Sequence, residues 1–85
     1  MSFTPDERAA LLAAPLVGPT VLARFEEIGF GSAQALAGAE PDHICRLVAA
    51  HLGTTCWANA PRARQSVANA IAAAQALLAA RDLRA

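Results

Sequence analysis

The sequence predicts an all-α domain of five helices. Three observations carry this. No stretch alternates apolar and polar residues with period two over a useful length, so no strand is expected. Apolar residues recur instead three and four positions apart, the spacing that lines one face of a helix. Four prolines, Pro5, Pro19, Pro41 and Pro61, stand where helices can begin, because the missing N–H of proline costs nothing in a first turn.

Helix 1 opens at Thr4. In Thr4-Pro5-Asp6-Glu7 the hydroxyl caps the helix and Glu7 reaches back from the third position, the pattern of a capping box. Arg8, Leu11 and Leu12 share a face, and the helix should end near Ala14, ahead of Pro15. Helix 2 starts at Pro19 and runs to about Ile28, with Val21, Leu22, Phe25 and Ile28 at helical spacing. Glu26 and Glu27 read as solvated, and Gly29 suits the left-handed position after the helix. A short helix 3 fits between Ser32 and Gly38. Helix 4 starts near Pro41 and stops before Gly53, with Ile44, Leu47, Val48, His51 and Leu52 as its stripe. Residues 53–60 read as a polar loop holding Cys56 and Trp57. Asn59 is placed to cap helix 5, which runs from Pro61 to about Arg81 and buries Val67, Ala70, Ile71, Ala74 and Leu78.

At 85 residues the chain is expected to form a single domain, 1–85, since a second core would be too small to hold. Hydrophobic residues make up 55%, but there are only three Phe, one Trp and no Tyr. Alanine supplies much of the remainder, which implies close helix packing through small side chains. The apolar run 66–80 is too short and too alanine-rich for a bilayer, which needs about 20 strongly apolar residues. The acidic start, M-S-F-T-P-D-E-R, has no apolar signal core, so a cytoplasmic location and reduced thiols are expected.

Net charge is zero, which gives no global reason to expect nucleic acid or an anionic membrane. The distribution says more: residues 1–42 sum to −4 and residues 43–85 to +4. Every basic residue is Arg, which together with the alanine content suggests the codon bias of a GC-rich bacterial genome rather than selection for phosphate contacts.

Residues 12–30, L-A-A-P-L-V-G-P-T-V-L-A-R-F-E-E-I-G-F, resemble the helix-hairpin-helix motif, matching it at Pro15, Val17, Gly18, Pro19, Ala23, Ile28, Gly29 and Phe30. Segments 39–47 (A-E-P-D-H-I-C-R-L) and 51–63 (H-L-G-T-T-C-W-A-N-A-P-R-A), with the alanine-rich last helix, extend the likeness. They are similar to the small bacterial helix-hairpin-helix proteins of the pathogenicity-locus or mitomycin-resistance type. The resemblance implies a five-helix, SAM-like architecture with helices 1 and 2 as the hairpin. It also implies non-sequence-specific DNA binding, non-enzymatic, through backbone amides at Val17, Gly18 and Thr20, because a helix N-terminus favours a phosphate. Arg24, Arg62 and Arg64 would assist. Two departures stand out: Leu16 replaces the first glycine of the pattern, and Thr20 stands where DNA-binding relatives often carry Lys. A second function stays open, a protein-interaction or oligomerisation module in which the hairpin is only a structural joint.

Other groupings point to no cofactor and no catalytic residue. His43, Cys45, His51 and Cys56 have the residue types of a zinc site but not the spacing of a known finger. A Cys–His nucleophile lacks an evident orienting residue. Arg62 and Arg64 sit where the helix dipole disfavours cations, which suggests pairing with Glu40 or Asp42, or with a phosphate.

Overall fold

The computed structural model describes residues 2–84. Among them are six helices and no strand: α1 (Pro5–Leu12), α2 (Pro19–Glu27), α3 (Ala33–Ala37), α4 (Pro41–Leu52), α5 (Cys56–Asn59) and α6 (Pro61–Arg84). The all-α expectation holds, with one helix more than the five expected. The addition is α5, in the stretch expected to be loop. It is a single turn begun where the Cys56 N–H donates to the Thr54 hydroxyl at 3.3 Å and closed where the Asn59 N–H donates to the Thr55 carbonyl at 3.1 Å. Four residues are too few for helical periodicity to show in a sequence. Asn59 ends this turn and does not cap the last helix. That helix begins with the Arg64 N–H donating to the Ala60 carbonyl at 3.1 Å.

The 24-residue α6 is the axis of the molecule. At 1.5 Å per residue it is about 36 Å long, against a longest dimension of 41 Å. It touches α1, α3, α4 and α5 along its length. Its buried face is Val67, Ala70, Ile71 and Ala74, as expected, with Leu78 half-buried. The short α3 crosses it closely, and the Gln75 side chain donates to the Ala37 carbonyl at the end of α3 (3.0 Å). Phe25, Leu11, Leu22, Leu36, Ile44 and Val48 fill the space between α6 and the other helices. None of the described helices is long and apolar enough to cross a membrane.

The capping box at Thr4 forms as read: the Glu7 N–H donates to the Thr4 hydroxyl (3.2 Å) and the Thr4 N–H to Glu7 Oε1 (3.1 Å). The buried face of α1 differs from the expected one. Leu12 is 36% exposed and Arg8 half-buried, whereas Glu7 is buried beside Leu11. The Glu7 carboxylate also accepts the Ala33 N–H of α3 (3.3 Å) and lies 3.3 Å from the Arg81 guanidinium of α6. One acidic side chain thus joins the starts of α1 and α3 to the far end of α6.

The buried face of α4 is rotated relative to the expected stripe. Ile44 and Val48 are buried, but they are accompanied by Cys45 and Ala49 rather than by Leu47 and His51. The small side chains at 45 and 49 let neighbouring helices approach closely, so His51 is turned outward and exposed. Gly53 ends α4 at φ 69°, in the left-handed region. A Cβ there has open space but a strained backbone. Gly53→Ala is therefore expected to cost about 1 kcal/mol, read as a lower urea midpoint at unchanged slope.

Candidate nucleic-acid interface

The connection between α1 and α2 is built on a β-turn. The Val17 N–H donates to the Ala14 carbonyl at 3.2 Å, with Pro15 and Leu16 as the central residues. Leu16 has φ 66°. Proline first and a positive φ second define a type II turn, whose second central residue is ordinarily Gly or Asn. A leucine held there costs about 1–2 kcal/mol, because its Cβ crowds the following carbonyl. The turn bends the chain back so that Gly18 precedes α2 in extended conformation (φ −119°, ψ 178°).

Of the amides singled out in the sequence, Val17 is occupied: its N–H closes the turn and its side chain is buried. The N–H groups of Gly18, Thr20 and Val21 have no partner among the described residues. The first intrahelical bond is that of Leu22 to the Gly18 carbonyl, at 3.2 Å. Open amides at the start of a nine-residue helix carry its partial positive charge. Thr20 is exposed, and a Cβ built on Gly18 meets nothing within 4 Å. The fold itself therefore does not require glycine at 18.

The three arginines are distributed differently from the sequence grouping. Arg24 is engaged with Glu27 on its own helix (2.8 Å), and the same Glu27 oxygen accepts from or pairs with His51 Nε2 at 2.9 Å. Arg64 pairs with Asp42 at 2.6 Å, one of the two acids suggested for it. The Arg64 guanidinium holds the Asp42 carboxyl below its usual range by hydrogen bonding and by charge, and its own pKa is raised in return. Arg62 and Arg64 are two residues apart and so point about 200° from each other around α6. Arg62 lies within about 20° of Asn69 around the axis and about 10 Å from it along the axis. Asn69 touches the α1–α2 turn: its side-chain amide donates to the Pro15 carbonyl at 2.7 Å. Arg62 therefore belongs to the side of α6 that faces the α1–α2 turn, and Arg64 to the side of α4.

His43, Cys45, His51 and Cys56 are not brought together. Cys45 is buried and Cys56 exposed. Burial, then the charge of Asp42, push the Cys45 thiol up, which keeps it protonated at neutral pH. His43 lies edge-on to Phe30 (ring centroids 6.4 Å apart), and His51 faces Glu27. Among the described residues, no group of three or more His, Cys, Asp or Glu side chains could hold a metal ion.

Sequence reasoning missed Asn69. Its partner lies 54 residues away, and no local pattern announces such a contact. The chain matches no family model, no curated protein and no solved structure.

Proposed function

We propose that the chain is a helix-hairpin-helix domain that binds the phosphate backbone of nucleic acid, without base recognition and without catalysis. The open Gly18 and Thr20 amides at the exposed start of α2 carry this reading. A phosphate there would accept two or more backbone N–H groups and meet the positive end of the helix dipole. Arg62, on the same side of α6, supplies a free side-chain cation, and Arg24 contributes the residual charge of its pair with Glu27. Leu16 supports the reading: the turn keeps a conformation suited to glycine although leucine occupies it, and non-glycine residues held at positive φ concentrate at ligand-binding sites.

So few contacts imply weak binding, with Kd about 10⁻⁴ M at physiological salt. Fluorescence anisotropy of labelled single- and double-stranded DNA should give saturable binding at low salt. For the duplex, log K should fall against log salt with a slope of about −2, one phosphate for each of the two cations. Gly18→Glu should abolish binding while leaving the urea midpoint nearly unchanged, because position 18 has open space and an ordinary φ. Absence of binding at low salt, or unimpaired binding by Gly18→Glu, would refute the proposal.

A second reading rests on Leu12 and Leu16, which are 36% and 41% exposed near the same turn. These would suit an apolar protein partner better than a phosphate. On that reading Leu16→Ser abolishes capture of the partner and Gly18→Glu leaves it intact.

A further inference from the structure

A type II turn and a type I turn share the same closing hydrogen bond and differ by a flip of the central peptide plane. In a type I turn Leu16 would adopt an ordinary right-handed conformation, which any residue accepts. The sequence has leucine at 16, yet the strained alternative forms. The flip also reverses the direction of the Pro15 carbonyl, and that carbonyl accepts from the Asn69 side-chain amide at 2.7 Å. Asn69 is itself held: its Oδ1 accepts from Gln65 Nε2 at 2.8 Å, one turn back on α6. The side-chain amide of Asn69 is thereby oriented with its donor toward the hairpin.

We propose that Asn69, backed by Gln65, is the positioning residue of the hairpin: it selects the type II state, fixes Leu16 at positive φ and so sets the direction of the Gly18 and Thr20 N–H groups. The part concerning the amides as a binding point rests on the phosphate reading above; the selection of the turn does not. Hydrogen bonding from a rigid helix to a loop carbonyl restrains φ at the next residue directly, because that carbonyl and the Leu16 nitrogen belong to one peptide plane.

The test is a double-mutant cycle on the full chain, with Asn69→Ala and Leu16→Gly, each variant unfolded in urea. Glycine adopts the left-handed conformation without strain. In the parent chain Asn69→Ala should raise the unfolding constant by less than about fivefold, the worth of one hydrogen bond reduced by the strain Leu16 sheds as the turn flips. In the parent chain it should also weaken the Pro15 Hα to Leu16 H^N nuclear Overhauser effect that marks a type II turn, and shift the Gly18 and Thr20 amide resonances. In the Leu16→Gly background those spectral changes should largely vanish, while the unfolding constant should rise by the full factor of about five, because glycine has no strain to shed when the bond is lost. Asn69→Asp, which keeps the size but turns a carboxylate toward the carbonyl, should reproduce the loss. Strictly additive stabilities with an unchanged Overhauser effect in Asn69→Ala would overturn the proposal. Turn selection demonstrated in protein that binds no labelled DNA at low salt would uphold Asn69 as the selector and overturn only its link to phosphate.

Discussion

Glu7→Ala is expected to destabilise the domain by about 3 kcal/mol, a large share of the roughly 5–15 kcal/mol that holds a domain of this kind together. The Glu7 side chain is only 8% exposed. Its removal strands the Thr4 and Ala33 N–H groups and leaves the Arg81 guanidinium without its partner. A small protein has few places to recover those bonds, and stranded donors cost more than the bonds were worth. Urea unfolding followed by circular dichroism reads the loss directly. A midpoint close to the parent's would mean that water replaces the carboxylate at no cost.

The same residue sets a pH dependence. Burial pushes the Glu7 carboxyl up, but the Thr4 and Ala33 N–H groups, the Arg81 hydrogen bond and its charge together outweigh that and leave it below the ordinary 4.5. With the folded pKa lower than the unfolded one, the stabilisation is complete above about pH 4.5 and is lost as pH falls through the folded value. Glu7→Gln should therefore be less stable at neutral pH and show a flatter decline on acidification. Parallel stability curves for the two proteins would remove Glu7 from the account.

Phe25→Ala is expected to be the most damaging substitution, at about 3–5 kcal/mol. Phe25 is the largest of the fully buried side chains. The core cluster it belongs to includes the short side chains Ala33, Ala70 and Ala74, which cannot extend into vacated space. A cavity lined by residues that cannot relax forfeits both transfer and dispersion energy. The variant should be partly unfolded at 25 °C without denaturant, with loss of helical circular dichroism. A cooperative transition near the parent's midpoint would place the centre of the core elsewhere.

The helices were largely legible because their signals are local. The Thr4 cap needs only residues 4–7, Ser32 caps α3 through the Ala35 N–H at 3.1 Å, and Gly53 stops α4 by its own conformational freedom. The same is true of the buried stripe of α6, where alanine and valine recur at helical spacing over several turns. The signals failed where an element was a single turn, as in α5, or where two candidate stripes shared residues, as in α4. In α4 Ile44 and Val48 fit either choice, and only the neighbouring helices decide between Cys45 with Ala49 and Leu47 with His51.

The candidate site divides in the same way. Pro15, Gly18 and Pro19 mark a turn leading into a helix whether or not a partner is known, and from them the open amides of α2 could be located. Whether Arg62 and Arg64 act together could also have been settled by counting, since two residues apart on a helix are on different sides. Charge already spent was only partly foreseen: Arg64 pairs with Asp42, one of its two suggested acids, but Arg24 on Glu27 and Arg81 on Glu7 went unread.

By itself, then, the sequence determined the helical class, the approximate start and end of every long helix and the place of the turn, because caps, prolines, glycines and periodicity act over a few residues. Only the tertiary structure decided which face each helix turns inward, the buried role of Glu7 and the contact between Asn69 and Pro15. Those depend on groups 26, 54 and 74 residues apart meeting in space. The left-handed Leu16 belongs with them: local preference favours the unstrained turn, and a hydrogen bond from a distant helix accompanies the other.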